Sequence, residues 1–101
     1  MIDLNEFAEK ALNVALSRER NGAKLCTDTV PMLKHCATEV VEATEAYSNI
    51  NTSVEEFASE LGDIMSCCLI ICAKKKLDPE LILRACYQKN LDRALKQGDK
   101  L

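Results

Sequence analysis

The sequence predicts an all-α chain of four helices, and three observations carry that reading. Apolar residues recur at helical spacing through most of its length, as in Leu4, Phe7, Ala8, Ala11, Leu12, Ala15 and Leu16. The stretches between such stripes hold residues that stop and start helices: "NG" at 21–22, "NINTS" at 49–53 and "DP" at 78–79. No sustained period-two alternation competes with them, so a strand reading has no footing.

The first helix is expected from about Leu4 to Arg20. Asp3 and Glu6 have the spacing of a capping box, and Gly22 stands just past the far end. A loop through "NGAKLCTDTV" leads to Pro31, whose fixed φ and missing N–H suit the first turn of a second helix. That helix should reach Ser48, with Leu33, Cys36, Ala37, Val40, Val41, Thr44 and Tyr47 on its apolar side. Ser53 and Glu56 repeat the capping spacing and open a third helix, from about Val54 to Lys76. Its closing lysines, Lys74 to Lys76, complement the negative end of the helix dipole. Asp78 and Pro79 cap and start a fourth helix, which should run to about Gln97 before Gly98. A chain of 101 residues makes these one domain, 1–101, with no internal repeat.

The third helix says something about assembly. From Ile64 to Ala73 only Ser66 is polar. A helix apolar on nearly every side is buried on nearly every side, and four helices of one small chain rarely surround one of their own. A second copy would supply the missing wall, so a homodimer, or a higher oligomer such as a tetramer, is expected.

Composition excludes some partners. Apolar residues make up 48% of the chain and charged ones 29%, with a formal net charge of −3, the balance of a folded globular protein. This mild acidity offers no broad basic face for a nucleic-acid polymer. The longest apolar run, "IMSCCLIICA", is about half the length of a membrane span. No basic-then-apolar leader opens the sequence, and a cytoplasmic setting is expected. In that setting the six cysteines read as free thiols acting as small hydrophobes. No C-x-x-C pair supports a structural zinc site.

The acidic residues carry the chemistry. "TEVVEATEAY", residues 38–47, sets Glu39, Glu42 and Glu45 three apart, and "ELGD" does the same with Glu60 and Asp63. Like charges at that spacing destabilise a helix by a few tenths of a kcal/mol. The line through Glu56, Glu60 and Asp63 runs on into Cys67 and Ile70, the most apolar part of the third helix, which a solvated acidic face should not do. A short connection makes the second and third helices antiparallel neighbours, so that Glu39 and Glu42 can face Glu60 and Asp63. Four carboxylates in a half-buried groove resist ionisation unless cations neutralise them. An all-oxygen ligand set suits Mg2+, or Mn2+, rather than zinc. Because magnesium commonly shares its shell with phosphate oxygens, such a groove suits a phosphorylated substrate. The plainer alternative is two acidic faces in water.

"EVVEATE", "ELGD" at the head of an apolar helix, "LDPELIL" and "KNLDR" together resemble the MazG-like all-α nucleoside triphosphate pyrophosphohydrolases, over about Pro31 to Arg93. The resemblance implies a four-helix MazG-like bundle whose magnesium ligands are Glu39, Glu42, Glu60 and Asp63. It implies hydrolysis of an NTP or dNTP between the α- and β-phosphates, giving a nucleoside monophosphate and pyrophosphate. It also places Asn90 and Arg93 at positions that approach the triphosphate, with Lys89 beside them. Glu42, or Glu39 in its place, is then the group that orients or deprotonates the attacking water. The chain departs from the family pattern at Cys86, where a lysine is frequent, and at Thr38, where a second glutamate is frequent. It also lacks the tryptophan that in many members packs on the base. Two other readings stand beside this one: a relative acting on phosphoribosyl-ATP, and a non-catalytic helical module of the same fold. His35 could reach a substrate phosphate, with a partly buried histidine without a role as the simpler reading.

Overall fold

The computed structural model describes residues 2–100 and gathers them into four helices. These are α1 (Leu4–Arg20), α2 (Thr29–Ser48), α3 (Val54–Lys74) and α4 (Pro79–Lys96), and no strand occurs among the described residues. The N-caps form as the sequence predicts. Asp3 accepts from the N–H groups of Asn5 and Glu6, Ser53 from that of Glu56, and Asp78 from those of Glu80 and Leu81. The first capping box forms only by half, because the Glu6 side chain turns to Lys10 at 3.3 Å instead of reaching back. α2 begins at Thr29, two residues before Pro31. Proline is harmless at this third helical position, since the first four N–H groups of a helix have no partner within it.

α3 ends at Lys74 rather than Lys76, and the reason is visible in the backbone. Lys76 sits at φ 58°, the left-handed region. There its N–H donates to the Ala73 carbonyl and that of Leu77 to the Cys72 carbonyl, the paired bonds of a Schellman cap. α1 and α4 close with the same pair of bonds around Gly22 (φ 89°) and Gly98 (φ 80°). Only α3 asks an L-residue to hold this conformation.

α3 is the central helix. α2 packs along one flank, α1 along another, and α4 lies against α1. The core is built from Ala8, Leu12 and Ala15 of α1, Met32 of α2, and Cys67, Ile70 and Ala73 of α3. A partly buried network around Thr27 fixes the helix directions. Thr27, 1% exposed, donates its N–H to Glu19 Oε2 at 2.8 Å and its hydroxyl to Glu19 Oε1 at 3.2 Å. Lys74 Nζ donates to the Thr27 hydroxyl oxygen at 3.0 Å. The ends of α1 and α3 and the approach to α2 therefore meet at one level, so α1 runs parallel to α3 and α2 antiparallel to both.

The protomer is extended for its size. Its radius of gyration is 16.2 Å, against about 13 Å for a domain of this length. Its accessible surface is 7784 Å², against about 5,700 Å² for a monomer of 11.2 kDa. Many large apolar side chains stand exposed, among them Leu33, Val40 and Tyr47 on α2, Leu61 and Met65 on α3, and Leu81, Leu83 and Tyr87 on α4. Among the described residues no helix is long and apolar enough to cross a membrane.

The left-handed lysine gives a direct test of the α3 cap. Lys76→Gly should raise unfolding stability by about 1 kcal/mol, the cost of left-handed backbone for an L-residue. Urea unfolding of the two proteins measures it, and an unchanged midpoint would mean that this turn is not held as described.

Candidate functional site

α2 presents one face to α3, on which Met32, Glu39 and Ala43 are buried. These positions are seven and four apart, so they share one side of the helix. Glu39 is the charged residue in that otherwise apolar stripe. Packing Met32 and Ala43 against α3 therefore carries the Glu39 carboxylate inward with them.

There it meets two other carboxylates. Oxygens of Glu39, Glu42 and Glu60 lie within 4.8 Å of one another, with Glu39 buried, Glu60 half-buried and Glu42 exposed. His35 Nε2 stands 3.2 Å from Glu39 Oε1. The other oxygen, Glu39 Oε2, is buried without a hydrogen-bond partner, and so is Glu60 Oε2. An orphaned buried acceptor costs roughly 1–3 kcal/mol, and this site holds two. Burial holds the Glu39 carboxyl above its ordinary range, and the charges of Glu42 and Asp63 push it further up, with His35 opposing them. These oxygens fit a divalent cation: the donors are hard, anionic and convergent, and two lack any other partner.

Asp63 lies outside the 4.8 Å set and is exposed, yet it lines the same cleft as Glu39. That cleft, about 610 Å³, opens between α1 and α2 above the face of α3 that carries Asp63, Ser66, Cys67 and Ile70. Its acidic wall is Glu39 and Asp63, with His35 beside them. The opposite wall is one face of α1: Phe7, Lys10, Ala11, Val14 and Arg18. Cys67, at the floor, has its thiol pushed up to about 11, first by burial and then by its neighbours Cys36 and Glu39. It is an inert packing group, as expected of the cysteines of this run, and all six thiols are free.

The structure thus brings together Glu39, Glu42 and Glu60 as the sequence predicts, with Asp63 at the margin. Lys89, Asn90 and Arg93 lie on the exposed part of α4 and do not line the cleft of their own protomer. The Asn90 amide instead donates to Cys86 Sγ at 3.8 Å. His35 is exposed rather than partly buried. The residues that sequence reasoning missed are Lys10, Val14 and Arg18. Their spacing from Phe7, at three, seven and eleven, marks a second face of α1 beside the core stripe. Phe7 itself, assigned to that core stripe, is 46% exposed at the cleft. Comparison with known proteins adds nothing to this geometry: no family model, curated protein or solved structure matches the chain.

The strained carboxylate should be visible in the pH dependence of stability. A carboxyl raised above its unfolded value of about 4.5 contributes stability that is complete below that value. This contribution is lost as pH rises through the folded value, where the proton must leave a buried oxygen. Glu39→Gln removes the titration. The metal-free variant should keep its stability between pH 4.5 and 7 where the parent loses some, and should melt no lower than the parent at pH 7. Parallel stability–pH curves for the two proteins would contradict the burial described for Glu39.

Proposed function

We propose that the chain is a magnesium-dependent nucleoside triphosphate pyrophosphohydrolase. The observation that carries this reading is the convergence of Glu39, Glu42 and Glu60, with two buried orphan oxygens, beside a cleft walled by acid on one side and base on the other. A carboxylate cluster alone would fit any divalent cation. The cleft next to it has room for a nucleotide, and its Lys10 is suited to the negative charge that a cation leaves unneutralised.

Glu39, Glu42 and Glu60 would hold the cation, with Asp63 at the cleft margin as a fourth ligand. Bound magnesium supplies charge neutralisation on phosphate oxygens and a more acidic water. The protein's own part is placement and proton transfer. Glu42, the exposed member of the cluster, takes the proton of the attacking water and passes it to solvent. Glu39, pinned by His35, holds the geometry. The water oxygen bonds to the α-phosphorus as the bond to the bridging oxygen breaks, and pyrophosphate leaves. Lys89, Asn90 and Arg93 act on the triphosphate only if a second protomer brings its α4 to the cleft.

The working form is an oligomer, a dimer at least. Leu33, Val40 and Tyr47 form an exposed apolar line on α2, and Leu61, Met65 and Cys68 form another on α3. Helical spacing sets both lines away from the cleft side of the α2–α3 pair. The surface excess of about 2,000 Å² is more than the roughly 800 Å² per partner that an ordinary stable interface covers.

Three measurements test these statements. A panel of nucleoside triphosphates with Mg2+ should yield pyrophosphate rather than orthophosphate. Glu39→Gln, Glu60→Gln and Asp63→Asn should each lower turnover by at least about a hundredfold. Mg2+ or Mn2+ alone should raise the melting temperature of the parent but not of Glu39→Gln. Turnover that survives in all three variants removes these carboxylates as the site, whereas a parent that releases no pyrophosphate and shows no metal-dependent shift in melting leaves a non-catalytic helical module as the reading. Sedimentation equilibrium should give a dimer or larger at micromolar concentration, and Met65→Glu should weaken it. A stable folded monomer of the parent chain would rule out the assembly.

A further inference from the structure

The cationic wall of the cleft has two members with different stations along it. From the level where Glu19 and Lys74 meet at Thr27, the parallel helices α1 and α3 can be counted back at the same rise per residue. Lys10 then lies about level with Met65, next to the Glu39–Asp63 end. Arg18 lies about level with Ala73, roughly 12 Å further along the α1 axis. Between them the lining is apolar: Val14, Met32 and Ile70. On the proposed reading the carboxylates would anchor a metal-bound polyphosphate at one end. Lys10 is within reach of that end, and the apolar middle suits a sugar and a base. Arg18 is then too far along to serve the reacting phosphates. Its guanidinium has no hydrogen-bond or ion-pair partner among the described residues, although it lines the cleft.

We infer that Arg18 is a specificity-determining residue that reads the far edge of the nucleobase and selects bases carrying an oxo group there, guanine and uracil or thymine, over adenine and cytosine, which carry an amino group. The physical reason is that guanidinium is a donor in every direction and never an acceptor. It pairs with O6 and N7 of guanine or O4 of uracil and thymine, whereas N6 of adenine and N4 of cytosine present donors against it. The inference rests on the nucleoside triphosphate reading of the cleft and adds the class of base to it.

The test compares kcat/KM for GTP, UTP, ATP and CTP in the parent, Arg18→Ala and Arg18→Lys. The parent should favour GTP over ATP and UTP over CTP by about tenfold. Arg18→Ala should bring each pair within about twofold by slowing the oxo substrates while leaving ATP and CTP unchanged, and Arg18→Lys should recover part of the selectivity. A parent without the preference, or one whose preference survives in Arg18→Ala, overturns the inference while leaving pyrophosphohydrolysis in place. Binding of non-hydrolysable GTP and ATP analogues with Mg2+, parent against Arg18→Ala, needs no turnover. A parent that releases no pyrophosphate yet loses guanine binding in Arg18→Ala sinks the activity and keeps the base-reading residue. A parent that binds both analogues equally, or neither, removes it.

Discussion

Glu39 cannot leave the helix interface without taking the core with it. It occupies the stripe of α2 that also contains Met32 and Ala43, and rotating the helix to hydrate the carboxylate would expose both. Burying those two side chains against α3 contributes on the order of 2–4 kcal/mol. An unpartnered carboxylate oxygen costs a comparable amount. The two are close enough that the apo site is tense rather than broken. His35 relieves one oxygen at 3.2 Å and leaves the other free. Everything proposed for the site follows from that trapped charge, because a convergent anionic pocket with spare acceptor capacity gains most from a divalent cation.

The rest of the cleft is complementary to this end. α1 packs on α3 through Ala8, Leu12 and Ala15, all of them small or slender residues at the contact. The close approach leaves the next face of the same helix looking across a gap at α2. Lys10 therefore stands across the cleft from Glu39 and Asp63, with Arg18 further along the same wall, and neither pairs with those carboxylates. Holding them apart across about 610 Å³ of open space keeps both signs available to something that carries both, such as a metal-bound polyphosphate.

The opposite side of the α2–α3 pair is a separate matter of surface economy. Three helices cannot wrap a fourth, and here α4 does not try: it lies along α1, with Pro79 its one buried residue among those described. The molecule is left long, at 52 × 39 × 29 Å, with apolar stripes on α2, α3 and α4 facing outward. Apolar surface of that extent marks an interaction site, and a second copy presenting the same stripes is the cover proposed for it.

Helix identity was legible in the sequence because its signals are local. Asp3, Ser53 and Asp78 cap the next turn of their own chain, and Gly22 and Gly98 terminate what precedes them. The carboxylate spacing was legible as well, since residues three apart on a helix share a face whatever surrounds it. Periodicity could not say which of those carboxylates is buried, because Glu39, Glu42 and Asp63 have equivalent local patterns. That depends on the rotation of α2 about its axis, set by Met32 against Cys67 and Ile70, residues more than thirty positions apart. The same holds for Lys76, whose left-handed turn breaks the glycine rule, and for Lys10 and Arg18. On the sequence these two are ordinary surface charges. They became the wall of a cleft only when α1 and α2 came to lie on either side of one face of α3, a relation between distant segments that no local pattern contains.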